Sequence, residues 1–447
     1  MKNSDNSLCR VFKFIPVLKN YDWGSVYSIQ KITENRELEG KPVAELWMGA
    51  HKKGEGTIID SAGKKIKISD FIEKESAAVL GSRCSKKYGG KLPFLFKILA
   101  AERALSIQVH PSKEEAEKGF ADEEKKKIDI ESSRRNYKDS NHKPELIYSL
   151  TEFSLMKGFR SAEDVCGNIE KYTPLLNDLL REKNKKRTDN NLHVNSGRKE
   201  GIDAPGDSCS NSALSVNSVN NTSSVNSSTS TDLVRELFTI LLLSDKKILK
   251  KMIDQTLERC GKFPGIIGKT VISLFEIYRY DSGVLSPLFL NIINLRPGQA
   301  LFIPAGELHA YISGTGFEVM ASSDNVIRGG LTKKHVDTAG LLEITKFSQS
   351  DTDLLVPQKT DNEIKYVTPA KEFVFSVISL ESREYTCSDP EKSIELFFFT
   401  GEQCRVKIAN IQQPVLFKNG ESFLIPACAD KYVIKGTGHL YRASVNI

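Results

Sequence analysis

Gln108 and His110 stand one residue apart in the run "ALSIQVHPS", where Ile107 and Val109 supply the apolar positions. An extended chain alternates its side chains, so the amide and the imidazole share one face and the two apolar residues share the other. Such a pair either satisfies itself with backbone hydrogen bonds or binds something; these two residues leave both readings open. A second signal comes from an internal repeat. "GQALFIPAGELHAYISGTGFEVMAS" from Gly298 and "GESFLIPACADKYVIKGTGHLYRAS" from Gly420 align without a gap at an offset of 122 residues. A duplicated β unit explains the register of Gly, Ile-Pro-Ala and Gly-Thr-Gly, and each copy must close on itself or pack as a jelly roll to hide its edges. The copies differ where chemistry is carried: His309 faces Lys431 in the alignment, and Glu318 faces Leu440. Any site therefore belongs to the first copy.

The elements that must position these residues come from the rest of the chain. Its 447 residues, 39% hydrophobic and 27% charged, can bury large cores and predict two or three domains of an ordinary soluble protein. A formal net charge of +6 is mild for this length. With no basic cluster interleaved with aromatics, nucleic acid is excluded as a partner. The N-terminal residues lack the apolar core of a signal peptide, and no run approaches the roughly 18 to 20 apolar residues of a membrane span. The eight cysteines are scattered and form no CxxC pair, which predicts reduced thiols and a cytoplasmic location.

Composition shifts sharply once. From about Arg181 to Thr231 the chain turns basic and then into "NSALSVNSVNNTSSVNSSTSTD", which has almost nothing to bury and is expected to be a disordered insertion. On either side, "SAEDVCGNIEKYTPLLNDLLREK" and "DLVRELFTILLLSDKKILKKMIDQTLERC" carry apolar residues at helical spacing and predict a small helical domain. The run "KEEAEKGFADEEKKK" from Lys113 reads as a solvated helical face. The remainder is short alternating runs broken by Gly, Pro and Asn, hence β.

"PGQALFIPAGELHAY" resembles the second cupin motif, with Gly298, Pro304, Gly306 and His309 at its spacing and Ser313 where cupins often have Asn. Together with "YDWGS", "ELWMGAH", "LPFLFKILAAERALSIQVHPSK", "HKPELIYSL" and "GFEVMASSDNVIRGGLTKKHVD", the chain resembles type I mannose-6-phosphate isomerase. The resemblance runs from about Tyr21 to Phe159 and from Leu295 to Asp337. It implies a fold that is mainly β with an α-helical insertion: two cupin-type jelly-roll barrels, the second degenerate. The expected boundaries are residues 1–160 and 266–345 for the catalytic barrel, 161–265 for the helical domain with its insertion near 182–231, and 346–447 for the degenerate barrel.

The same resemblance implies one zinc ion per chain, held by Gln108, His110, Glu145 and His309. Two imidazoles and a carboxylate suit zinc, and an amide oxygen leaves net positive charge at the metal. It implies phosphate contacts from Lys97, Ser106 and Lys334, groups suited to a dianion as point charges and a hydroxyl donor. Arg328 would add a cation near the reacting oxygens; on its own, an Arg beside Gly-Gly reads as a turn-flanking surface residue. Trp23, Tyr311 and Asp324 fall in motifs expected to contact substrate, Trp23 equally as a core anchor, and Glu45 and His51 lie in the same motifs. The general base stays open among Glu318, Asp324, Lys143 and a water on the metal, with Glu318 preferred because its counterpart is Leu440.

The function implied is reversible interconversion of mannose 6-phosphate and fructose 6-phosphate through an enediolate, feeding mannose into GDP-mannose and glycan synthesis. Its partner is a small sugar phosphate, with no obligate protein partner. The alternative is a non-catalytic cupin that binds a sugar phosphate as a sensor or structural unit. An iron-dependent cupin oxygenase is weaker, since it has no use for phosphate-directed lysines.

Overall fold

The computed structural model describes residues 8–196, 227–381, 383–411 and 413–447. Strand Phe94–Ala101, of sequence FLFKILAA, is buried at every position. So continuous an apolar run belongs at the centre of a sheet covered on both faces. It lies antiparallel between Glu45–Met48 and His309–Ala321. The path of this ten-stranded sheet is Leu290–Leu295, Phe153–Phe159, His309–Ala321, Phe94–Ala101, Glu45–Met48 and Val17–Lys19. Off that path, Glu145–Ser149 pairs with Ala300–Ile303 and with the long His309–Ala321 strand, and Ile107–Val109 pairs with Ile327–Gly330.

The two faces of this sheet have different tasks. Phe96, Ile98, Leu146, Phe317 and Val319 point into a core shared with Phe375, Phe398 and Tyr441 of a second sheet, where Phe317 and Tyr441 stack at 4.2 Å. Glu45, Lys97, Glu145 and Glu318 take the alternate positions and face the other way. Helix Lys113–Lys125 follows directly, with Ser112 and Glu115 forming a reciprocal capping box. That fixes where the chain turns after His110.

The second sheet has eleven strands, mostly from residues beyond 357, but its path ends on Ser422–Ile425, Phe12–Ile15, Thr57–Ile59 and Lys65–Lys67. Phe12 pairs with Leu424 and Phe14 with Ser422. The N-terminal strand therefore belongs to the C-terminal sheet, across the boundary expected at residue 345. Cys9 and Cys428 are joined as a disulfide at this seam, which corrects the expectation that all cysteines are free; Cys84, Cys166, Cys260, Cys387 and Cys404 are unpaired. The repeat is visible as structure: Ala300–Ile303 and His309–Ala321 recur as Ser422–Ile425 and Lys431–Ser444. In the second copy Leu440 is sealed among Ile378, Phe397, Phe399, Tyr432 and Ile434.

One polar knot interrupts that second copy. Glu395 accepts from Tyr432 Oη at 2.8 Å and pairs with Lys392 and Arg442 at 3.0 Å each. Burial alone would push the Glu395 carboxyl up, but Lys392 and Arg442 outweigh it and hold the group below its usual range. A carboxyl depressed in the folded state binds fewer protons there than when unfolded. Its stabilisation is present above the ordinary carboxylate pKa and is lost as pH falls through the folded value. Urea unfolding of Glu395→Gln is expected to show a loss of about 3–5 kcal/mol at pH 7, since a buried cation loses its partner, and a smaller gap from the parent in acid. A gap independent of pH would sink this assignment.

Residues 159–290 with 347–350 form a separate helical unit. Its helices are Ala162–Tyr172, capped by Ser161, Pro174–Ser196, Ser227–Leu243, Lys246–Lys262, capped by Asp245, and Ile266–Tyr278. Val165, Ile169, Leu237, Phe238, Met252, Val271 and Leu274 are buried. Two differences from expectation stand out. The stretch read as insertion from 182 is helical as far as Ser196, in keeping with the helix propensity of its Lys, Arg and Glu residues; residues 197–226 lie outside the described residues. Residues 266–290, expected to begin the returning barrel, belong to the helical unit.

Candidate metal centre and active site

Strand pairing assembles the centre before any side chain is considered. Gln108 lies opposite both His309 and Arg328, while Glu145 lies opposite Ile303 and Met320 on the strands flanking it. Chains far apart in sequence thus deliver three ligand types to one spot. His110, Glu145 and His309 are buried, and their ligating atoms lie within 4.8 Å of one another. His110 Nε2 is 3.3 Å from Glu145 Oε1, and His309 Nε2 is 3.2 Å from Glu145 Oε2.

The outer nitrogens decide what these contacts mean. His110 Nδ1 faces the Asn325 carbonyl at 2.8 Å, and His309 Nδ1 faces the Glu307 carbonyl at 3.0 Å. A carbonyl can only accept, so each Nδ1 carries the proton and each Nε2 presents a lone pair. Burial, followed by the charge of Lys143, pushes the His110 imidazole down to about 4, so the ring is neutral near pH 7. Despite burial, the charge of Lys143 at 3.0 Å holds the Glu145 carboxyl well below its usual range. Two lone pairs therefore face an anionic carboxylate, and His110 Nε2 is a buried atom with no hydrogen-bond partner. A shared cation resolves this arrangement, and imidazole–carboxylate–imidazole is a zinc-type donor set. Gln108 donates its amide nitrogen to Ser106 Oγ at 3.3 Å, which leaves its oxygen available to the same centre.

Next to the ligands lies a cavity lined by Glu45, Lys97, Ser106, Gln108, Lys143, Glu145, His309, Tyr311 and Glu318. Lys97 sits opposite Glu318 in the sheet and binds its Oε2 at 2.6 Å, with Glu45 Oε1 at 3.7 Å. Burial disfavours its charge, but Glu318 and Glu45 reverse that and raise the ammonium pKa. Tyr311 donates to Glu318 Oε1 at 2.7 Å, and Trp47 Nε1 donates to Glu45 Oε2 at 2.9 Å. Lys143 lies 3.0 Å from Glu145. Lys97 thus stands among carboxylates in the cavity floor, surroundings unlike those of a lysine that binds phosphate.

Arg328 and Lys334 have the opposite environment. Among the described residues neither forms an ion pair, and the Lys334 ammonium is pushed down by burial and by the cations Arg328, Lys53 and Lys138. Unpaired cations that repel one another need an anion. Asp324 lies outside the cavity lining, 3.1 Å from Lys53 Nζ and 3.4 Å from His51 Nε2, and its backbone N–H is tied to Asp139. Trp23 stacks on Tyr21 at 5.7 Å and packs against the apolar cluster that contains Leu99 and Tyr311, while its carbonyl accepts from the Glu102 backbone N–H at 3.0 Å.

Sequence reasoning missed several supporting groups. Asn325 aims its carbonyl at His110, and its buried side chain bonds Lys138, Asp139 and Asn141. Lys157 pairs with Glu307 at 2.9 Å beside the carbonyl that receives His309. Burial, followed by the charge of Glu45, pushes the Tyr21 hydroxyl up. The one available signal was position: Asn325 lies inside "SSDNVIRGG", and Tyr21 inside "YDWGS".

Comparison with known proteins gives concordant matches. The family model for the phosphomannose isomerase type I catalytic domain matches residues 11–162. The chain is similar to the mannose-6-phosphate isomerase of Escherichia coli strain K12, 33% identical over 435 residues, covering 96% of this chain and 98% of the relative. It is also similar to that of Rattus norvegicus, 33% identical over 76% of this chain and 74% of the relative. A crystal structure of the Salmonella typhimurium mannose 6-phosphate isomerase with fructose 6-phosphate and zinc bound superposes with a TM-score of 0.81 at 31% identity, covering 98% of this chain and all of that one.

Proposed function

The chain belongs to the type I phosphomannose isomerase family, and from that premise we propose how its residues carry out the zinc-dependent interconversion of mannose 6-phosphate and fructose 6-phosphate. His110, Glu145, His309 and Gln108 hold the zinc. The observation that carries this reading is the pair of Nε2 lone pairs facing Glu145 beside a cavity lined by lysines and carboxylates. Bound zinc supplies a fixed positive charge that stabilises negative charge developing on the sugar oxygens.

The remaining tasks fall to the chain. Lys334 grips the phosphate dianion with Ser106, and Arg328 neutralises charge between the phosphate and the ligand centre. Lys143 holds Glu145 ionised. Lys97, balanced by Glu318 and Glu45, places a positive charge in the cavity lining without attracting bulk anions. Tyr311 shapes the cavity wall, Trp23 backs it from the apolar cluster that Tyr311 belongs to, and Asp324 orders the basic rim through Lys53 and His51. A binding module would need Lys334 but has no use for a four-residue metal centre.

The finer architecture follows the same reading. The repeat at 122 residues and the apolar filling around Leu440 support two jelly rolls of cupin type, the second degenerate. The helical insertion divides the first, and the location is cytoplasmic. No helix among the described residues is long and apolar enough to cross a membrane.

A coupled assay of fructose 6-phosphate formation tests the function. Activity is expected to vanish on chelation and to return with zinc. Metal-loaded protein that binds mannose 6-phosphate without converting it would establish the sensor instead.

A further inference from the structure

Three carboxyl groups line the cavity, and two are fully engaged. Glu318 Oε2 binds Lys97 at 2.6 Å and its Oε1 accepts from Tyr311 at 2.7 Å. Glu145 spends both oxygens on the metal centre and is paired with Lys143 at 3.0 Å. The lysines are no better placed to receive a proton, because each is a protonated amine salt-bridged to one of these acids. Glu45 differs. Its Oε2 is held by the Trp47 indole at 2.9 Å, while Oε1 stands 3.7 Å from Lys97 Nζ, beyond hydrogen bonding. It has a lone pair in the cavity and a side chain fixed by one bond.

We propose that Glu45, through Oε1, is the catalytic residue that takes the proton from C2 of mannose 6-phosphate and delivers it to C1. The inference rests on the isomerase reading above. In the first half of the reaction the C2–H bond breaks and its proton passes to Oε1; the electron pair forms the C1–C2 π bond while the carbonyl pair moves onto O1. In the second half the enediolate pair takes the proton back at C1, the O2 hydroxyl proton passes to O1, and C2–O2 becomes the carbonyl. No atom or electron is gained. Glu318 then acts indirectly, by holding Lys97 where its charge favours the ionised form of Glu45. Burial raises the Glu45 carboxyl above its ordinary range, with Lys97 opposing and Glu318 assisting; that brings a weak base nearer to useful strength.

The test compares zinc-loaded Glu45→Gln, Glu45→Ala and the unaltered protein. Glu45→Gln is expected to lower kcat by about 10²–10⁴-fold, the range for loss of a general base, with zinc content and KM for mannose 6-phosphate little changed. Glu45→Ala is expected to regain activity in proportion to added formate, a small carboxylate able to enter the vacated space; a purely structural role would not respond. Retention of kcat within about tenfold in Glu45→Gln, loss explained by zinc release, or no response of Glu45→Ala to formate each overturns the proposal. If the unaltered protein converts mannose 6-phosphate while Glu45→Gln does too, only Glu45 loses its role. If the unaltered protein fails, the isomerase reading falls with it.

Discussion

His309→Ala is expected to lower mannose 6-phosphate turnover by about 10³-fold or more, with zinc content near zero after dialysis; a metal contribution of several kcal/mol converts to that factor at 1.36 kcal/mol per tenfold. The reason is geometric. His309 contributes one of only two imidazoles, and Glu145 spans both. Removing it leaves Glu145 Oε2 without a counterpart in a buried site, so the loss is not offset by water from outside. The measurement pairs coupled kinetics with metal analysis. A variant that keeps stoichiometric zinc and turns over within tenfold of the parent would remove His309 from the ligand set. The two readouts separate a weakened site from a misfolded one, because the ring's outer contact is to a local carbonyl, that of Glu307.

Lys334→Ala is expected to raise KM for mannose 6-phosphate by about 10–100-fold with kcat little altered, as for the loss of a charge-assisted contact worth about 1.5–3 kcal/mol. Lys334 lies among Arg328, Lys53 and Lys138, and the described residues offer it no carboxylate. A dianion placed there relieves repulsion as well as gaining attraction. By contrast Lys97 already has Glu318 at 2.6 Å. If Lys97→Ala raised KM more than Lys334→Ala did, the phosphate would have to be moved to the cavity floor. Raised ionic strength should weaken binding to the parent more than to Lys334→Ala, since one screened charge has been removed.

Much of this was legible in the sequence for local reasons. A Gln-x-His alternation needs only the two-residue period of a strand, and the repeat from Gly298 and Gly420 needs only self-comparison. Those signals led to the strands that the structure contains. What the sequence did not show is non-local. Nothing in "VFKFI" says that its partner is Ser422–Ile425, because strand pairing leaves no trace of which partner is chosen. Helix Ile266–Tyr278 was missed because "IIGKTVISLFEIY" is rich in β-branched residues and apolar almost all round, so its period is faint. The surroundings of Lys97 were hidden for a third reason. A lysine in a fully apolar strand signals a buried charge, but whether phosphate or carboxylate answers it depends on Glu318 from a strand more than two hundred residues away.

The strand Phe12–Ile15 sets a condition on how the molecule is made. Ser422 Oγ reaches the Phe14 carbonyl across 408 residues of chain. At the usual rate of about 5–20 residues per second, a ribosome needs roughly 20–80 s to synthesise the partner after the first strand has emerged. Throughout that interval Phe12 and Phe14 belong to a strand with an open edge, the kind of surface that pairs with the wrong chain. The second sheet can close only after synthesis is nearly finished, and contacts of such sequence separation form slowly. Truncation near the C-terminus would accordingly damage the beginning of the protein as well as its end.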